Sequence, residues 1–288
     1  MLRRKIIYSL ICSLLVLTII FGFIIFQANQ NFLAVKFLDV GQGDSILISQ
    51  GKKQLLIDGG PSGQKMMEKL GTYVPFWDRE IEVIVITHPD SDHIEGLVSV
   101  LQNYQVDAII ETDVSSESAV YAKLQDLIKE KNIQKIKGAR GIKIKFNEKN
   151  ELEILNSEDE NAVAQKETNS SSLVSKLTVG DEKFLFMGDL PSERESSLFG
   201  SDISANVLKI AHHGSKYSTG ADFLDKVNPQ DAVISVGKDN RYGHPNLETL
   251  DRLKNKKINI FRTDVLGDIS YECQISNDKC QISFSGQQ

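Results

Sequence analysis

The stretch Val83-Ile84-Val85-Ile86-Thr87-His88-Pro89-Asp90-Ser91-Asp92-His93-Ile94-Glu95-Gly96 decides how the rest of the chain is read. It opens with a β-branched apolar run that has the length and composition of a buried strand. His88, Asp90, Asp92 and His93 follow within six residues. Where a strand ends and the chain turns, imidazole nitrogens and carboxylate oxygens so close in sequence meet at one point, and such a donor set suits a divalent metal. The bland alternative is a polar turn with two incidental histidines. Histidine usage argues against it, because the chain has only five and the other three, His212, His213 and His244, fall in two further motif-like segments.

Upstream, Phe32 to Leu38 and Ser45 to Ser49 read as strands around the turn Asp39-Val40-Gly41-Gln42-Gly43-Asp44, and Gln54 to Ile57 is a strand ending in Asp58-Gly59-Gly60. Asp39 and Asp58 are expected to be turn residues without a chemical role. Gln64 to Leu70 is expected to be helical, and Trp77, the only tryptophan, to pack in the core. Downstream, helices are expected over Ile94 to Tyr104 and Ser118 to Asn132, the latter with Val120, Leu124, Leu127 and Ile128 on one face. Ser157 to Glu167 reads as an acidic loop. Lys183 to Met187 is a strand ending in Gly188-Asp189, and Ala205 to Ala211 is a strand delivering His212-His213-Gly214-Ser215. Asp231 to Val236 leads into Gly237-Lys238-Asp239-Asn240-Arg241-Tyr242-Gly243-His244-Pro245-Asn246, and Leu247 to Asn255 is a helix.

At 288 residues and 41% hydrophobic, the chain can bury one full α/β core. The net charge of -6 excludes a surface that attracts nucleic acid everywhere, while leaving room for a local basic patch. Met1-Leu2-Arg3-Arg4-Lys5 is basic and Ile6 to Phe26 is uncharged, which predicts a membrane anchor over residues 1–28 and a folded domain over 29–288. The basic flank places the N-terminus in the cytoplasm and the domain outside a single-pass cell-membrane anchor; secretion after signal cleavage is the alternative. Gln27 to Asn31 reads as a short linker. Cys273 and Cys280 flank a hairpin turn centred on Ser276-Asn277, and disulfide and free thiols are equally open. The sequence names no protein partner and no oligomeric state.

His88-x-Asp90-x-Asp92-His93 resembles the His-x-His-x-Asp-His signature of the metallo-β-lactamase superfamily, with Asp in place of the second His. Together with Phe37-Leu38-Asp39-Val40-Gly41-Gln42-Gly43-Asp44-Ser45 and Ala211-His212-His213-Gly214-Ser215, it is similar to the metallo-hydrolase domain of ComEC-type DNA-uptake (competence) proteins, from about Phe32 to about Tyr271. The resemblance implies a four-layer αββα sandwich and one or two divalent ions, zinc or manganese. His88 and Asp90, with Asn169, would hold the first. Asp92, His93 and His213 would hold the second, and Asp189 would bridge. Asp92, Asp189 and His244 take catalytic roles, and His212, Ser215, Lys216, Arg241 and Tyr242 take substrate or phosphate contacts. Lys209 and Lys238 lie close in sequence as further phosphate contacts. The implied reaction is phosphodiester hydrolysis by a metal-activated water, with DNA as substrate. A teichoic-acid or phosphocholine ester is an alternative substrate, and a binding module with a degenerate metal site is the alternative from another class.

Overall fold

The computed structural model describes residues 2–30, 32–156, 167–275 and 279–286. A first sheet has the strand order β15-β14-β1-β2-β3-β4-β5-β6 and a second the order β13-β12-β11-β10-β9-β8-β7. In the first, β1 (Phe32–Phe37), β2 (Ile46–Gln50) and β3 (Lys53–Ile57) form an antiparallel meander, and β4 (Glu80–Val85), β5 (Gln105–Glu111) and β6 (Gln134–Lys137) continue it in parallel. The second begins with the antiparallel run β7 (Lys143–Lys145), β8 (Glu151–Ile154), β9 (Ser175–Val179) and β10 (Glu182–Phe186). It ends with β11 (Val207–Lys209), β12 (Asp231–Ile234) and β13 (Asn259–Arg262), all parallel to β10. The last hairpin, β14 (Ile269–Gln274) and β15 (Lys279–Phe284), returns to β1.

The layers follow from alternation along the strands, since successive side chains point to opposite faces. Val85 on β4 and Phe184 and Phe186 on β10 enter the core between the sheets, with Phe37, Ile57 and Leu177. Ile84 faces the other way, onto α2 (Gly63–Tyr73), α3 (Ser91–Asn103) and α4 (Ala119–Glu130), where Met66, Leu70, Leu97, Leu101 and Leu124 close a second core. Leu185 and Leu208 likewise face helices at Ala221–Val227 and Leu247–Asn255 across Phe223, Leu224 and Leu253. The result is the expected αββα order, with the two sheets packed through one shared apolar layer.

Several expectations are corrected. Residues Leu2–Gln30 form one helix, α1, so Gln27 to Gln30 continue it and are not linker; Asn31 lies outside the described residues. A spanning helix needs about 20 consecutive apolar residues, and among the described residues no helix is long and apolar enough to cross a membrane. The single-pass anchor through Ile6 to Phe26, and the extracellular placement that depended on it, are therefore not upheld. Trp77 is 73% exposed and meets Phe76, 79% exposed, edge to face at 4.9 Å. The turn closed by the Asp78 N–H on the Pro75 carbonyl carries both rings away from a core already sealed by Val74 and Tyr104. Cys273 and Cys280 are cross-strand partners and form a disulfide. The turn residues Ser276 and Asn277, and the acidic loop at 157–166, lie outside the described residues.

Candidate metal centre

Three segments of the centre follow the ends of strands. Thr87 and His88 follow β4. Asp90 then occupies the N-cap of α3, so Asp92 and His93 sit in its first turn, earlier than the expected helix start at Ile94. A carboxylate in a first helical turn complements the positive end of the helix dipole. Gly188-Asp189 follows β10, and His212-His213 follows β11. To aim both imidazoles back at Asp189 the chain must reverse at once. His212 (φ 49°, ψ 46°) and His213 (φ 52°, ψ 26°) are accordingly both left-handed, a conformation costing about 1–3 kcal/mol per non-glycine residue and concentrated at functional sites. Gly214 completes the reversal at φ +82°, where a Cβ would come within 2.6 Å of Pro245 Cβ.

Asp189 is the hub. Its Oδ1 lies 3.4 Å from His93 Nε2, and its Oδ2 lies 3.7, 3.8 and 3.9 Å from the Nε2 atoms of His213, His212 and His88. His213 Nε2 is 3.5 Å from Asp92 Oδ2, and His88 Nε2 is 3.7 Å from Asp90 Oδ2. Among the described residues four donor sets each fall within 4.8 Å of mutual approach: His88–His93–Asp189, Asp92–His93–His213, Asp44–Asp58–His93 and Asp44–Asp189–His213. The Nε2 atoms of His88, His93 and His213 and Oδ1 of Asp189 are buried without a hydrogen-bond partner. Four orphaned donor atoms converging on one point are costly unless something binds them, and their imidazole and carboxylate chemistry fits a divalent cation. Asn169 starts the 3-10 turn Asn169–Ser171 with Oδ1 also buried and unpartnered. Ser172 at the end of that turn accepts the Asp189 N–H through Oγ, and the Leu173 N–H donates to the Thr87 carbonyl, so the turn is bound to both halves of the centre.

Two residues without an expected role here, Asp58 and Asp44, orient the histidines. Asp58, fully buried, accepts from the Thr87 N–H (2.8 Å) and hydroxyl (2.6 Å) and lies 2.8 Å from His93 Nδ1. It is thus not the idle turn residue expected. The sequence did carry a signal, since Asp58 ends the strand beside the His88 strand. Asp44 Oδ1 lies 3.3 Å from His213 Nδ1, which also meets the Ser235 carbonyl at 3.0 Å, and Asp44 Oδ2 accepts from Lys209 Nζ at 2.7 Å. Lys209 is 0% exposed. It is therefore no phosphate contact, because its charge is spent on Asp44 inside the sandwich. Partners of this kind fix the tautomer and aim of a ligating imidazole.

The centre's charges are mutually supporting. Burial opposes protonation of His213, but Asp189, Asp44 and Asp92 overcome it and raise the ring to about 9. His93 is raised well above its usual value against the same burial, by Asp189 and Asp58. Burial, then the His93 charge, lowers His88. Asp189 is held well below the usual carboxylate range by His213, His93 and His88, which outweigh its burial. Ligation through Nε2 must therefore displace protons at neutral pH, and binding of a divalent ion at pH 7 is expected to release about two protons. Calorimetry in buffers of different ionisation heat measures the number, and binding with no release would sink ligation through His93 and His213. In the metal-free chain the raised His213 contributes stability that is complete below its ordinary 6.5 and lost as pH rises through about 9. Thermal stability without metal should thus fall across that window, by about 3 kcal/mol for this ring alone.

Of the remaining expected residues, His212, His244, Tyr242 and Arg241 form a rim. His212, partly exposed, meets His244 at 5.7 Å between ring centroids, and Tyr242 lies nearly parallel to His244 at 6.0 Å. Arg241 lies over Tyr242 at 5.1 Å, and Lys216 and Lys238 are exposed. Ser215 is buried instead, its hydroxyl accepting the Tyr217 N–H, so it shapes the turn.

Comparison with known proteins is consistent with this geometry. The sequence model of the metallo-beta-lactamase superfamily matches residues 38–238. ComE operon protein 3 of Bacillus subtilis (strain 168) is 29% identical over 278 residues, covering 88% of this chain and 35% of that protein. Competence protein ComA of Neisseria gonorrhoeae is 27% identical over 266 residues, covering 87% of this chain and 34% of that protein. The chain thus spans about a third of the length of these relatives. A shorter match, 35% identical over 65 residues, covers 23% of this chain and 24% of exodeoxyribonuclease WalJ of Streptococcus pneumoniae. Among solved structures, the metallo-beta-lactamase fold protein YhfI of Bacillus subtilis superposes with a TM-score of 0.55 at 13% identity, covering 83% of this chain and 99% of that one.

Proposed function

The chain belongs to the metallo-β-lactamase superfamily, and from that premise we propose that it is a metal-dependent phosphodiesterase that cleaves DNA. The observation that carries the reading is the convergence of orphaned Nε2 and carboxylate atoms from His88, His93, His213 and Asp189. In this reading His88 and Asp90, with Asn169, would hold one ion, Asp92, His93 and His213 would hold a second, and Asp189 would serve both. The bound ions supply Lewis acidity and an activated water. Replacing two imidazoles by a carboxylate and an amide makes the first set richer in oxygen, which favours manganese over zinc.

The chain's own residues supply the rest. Asp92, its side chain 37% exposed, faces the mouth of the centre and can orient a water there. His244 is held neutral, first by burial and then by the charges of His212 and His213, and its Nδ1 is buried without a partner. A neutral ring with an unclaimed nitrogen is a base and can take a proton from the attacking water. Arg241, Lys216 and Lys238 offer cationic contacts to phosphate on an otherwise acidic protein. Support for DNA over other phosphodiesters comes from two relatives, a competence protein and an exodeoxyribonuclease.

The test is hydrolysis by the metal-stripped chain reloaded with manganese or zinc, on single- and double-stranded DNA beside bis-p-nitrophenyl phosphate. DNA cleavage that depends on the added ion supports the proposal. Cleavage of the small diester alone would redirect it to a cell-wall or lipid phosphodiester, and inactivity on all three would indicate a binding module. His244→Ala should lower turnover about 100-fold while metal content stays at the wild-type level. Loss of metal in that variant would move His244 into the ligand shell.

A further inference from the structure

No run of the sequence interleaves aromatic and basic residues in the manner of a single-strand binding strip. The fold assembles one from two segments. Starting at Asp189, His212 Nε2 stands 3.8 Å from Oδ2, His244 follows at 5.7 Å and Tyr242 at 6.0 Å, within 18° of parallel to His244. Arg241 ends the row, 5.1 Å over the Tyr242 ring and donating to its hydroxyl at 3.0 Å. Tyr242 is 55% exposed.

That exposure is built in. Asn240 staples the loop from beneath: its Nδ2 donates to the carbonyls of Gly237 (3.0 Å) and His244 (2.6 Å), and its Oδ1 accepts the N–H groups of Tyr242 (3.2 Å) and His244 (3.0 Å). The Asn246 N–H, bonded to the Gly214 carbonyl at 2.9 Å, fastens the same loop to the His212-His213 turn. A rigid loop that holds an aromatic ring in solvent at a fixed distance from the centre gains nothing in burial, whereas a preorganised ring with a guanidinium against it is a ready stacking partner for a π-face.

Resting on the phosphodiesterase reading, we propose that Tyr242, backed by Arg241, is a stacking platform for a nucleobase next to the scissile phosphate, so that the site recognises unpaired strands by their bases and not by phosphate alone. Bases in a duplex are already stacked and cannot reach the ring without being unpaired first. Base–aromatic stacking is tolerant of base identity, so the platform selects strandedness and not sequence.

The discriminating substrates are two labelled DNA single strands of equal length, one with all its bases and one with abasic residues through its centre. Both present the same phosphates. With manganese, the full chain is expected to show a KM about 10-fold lower for the base-bearing strand, and the metal-free chain to bind it more tightly by fluorescence anisotropy to a similar degree. Tyr242→Ala should shrink that preference to less than about two-fold in both readouts, while Tyr242→Phe, which keeps the ring and loses the hydroxyl, should retain it. A preference that survives Tyr242→Ala, or a wild-type chain that takes the two strands equally, would overturn the platform. A wild-type chain that neither binds nor cuts either strand would remove the nuclease reading itself, and the platform with it.

Discussion

Asp189→Ala is expected to abolish hydrolysis and to lower affinity for divalent metal by more than about 100-fold, beyond the 10–100-fold typical of removing a group behind the ligands. Among the described residues Asp189 is the one carboxylate whose oxygens approach four imidazoles, at 3.4 to 3.9 Å, and it belongs to two of the four metal-competent donor sets. Its removal also unbalances the metal-free protein. His93 and His213, with ring centroids 5.5 Å apart, owe their raised basicity partly to this charge. Without it they must lose protons or repel. Asp189→Asn keeps the volume and removes the charge, so it should follow Ala in metal loss while deviating less in stability. Metal content after dialysis, read with turnover, checks both variants; an Asp189→Ala protein that keeps its metal would sink the hub assignment.

The second large effect concerns the buried pair Lys209–Asp44. Neither side chain is more than 3% exposed, and the bond between them is 2.7 Å long. Removing one partner strands the other charge in an apolar interior, which costs about 3–5 kcal/mol, whereas replacing both with matched neutral groups is often neutral. Asp44→Asn is thus expected to destabilise strongly, and Lys209→Met in the same chain to restore much of the loss. Function should not return with stability. Asp44 Oδ1 is also the carboxylate beside His213 Nδ1, and the double variant leaves that nitrogen with no charged partner beside the Ser235 carbonyl. Chemical denaturation separates the two effects, since recovered stability with metal affinity still weakened about 10–100-fold is the signature of an orienting role. A double variant with full metal affinity would reduce the pair to packing.

The order of the candidate metal-binding segments and their placement after strands were legible in the sequence, and the αββα layering was implied by the resemblance those segments carry. Each depends on patterns a few residues long. Val83 to Ile86 alternates between two cores, and His88, Asp90, Asp92 and His93 are brought together by one strand end and the first turn of α3. Asp189 and His213 lie in the turns that follow β10 and β11, where the sequence pattern puts them.

What tertiary structure alone decided lies in contacts between distant segments. Asp58 meets Thr87 across 29 residues and Lys209 meets Asp44 across 165. A lysine in the short run Val207-Leu208-Lys209-Ile210 looks the same in sequence whether it faces phosphate or a buried carboxylate; its partner's position settles which, because a buried charge persists only when paired. The aromatic row from His212 to Tyr242 likewise joins two segments that no linear pattern links. The anchor read from Ile6 to Phe26 rested on composition, and so did the buried Trp77. Composition reports how apolar a segment is, whereas what surrounds a side chain is set by the elements packed against it, and around Trp77 the core was already closed by its neighbours.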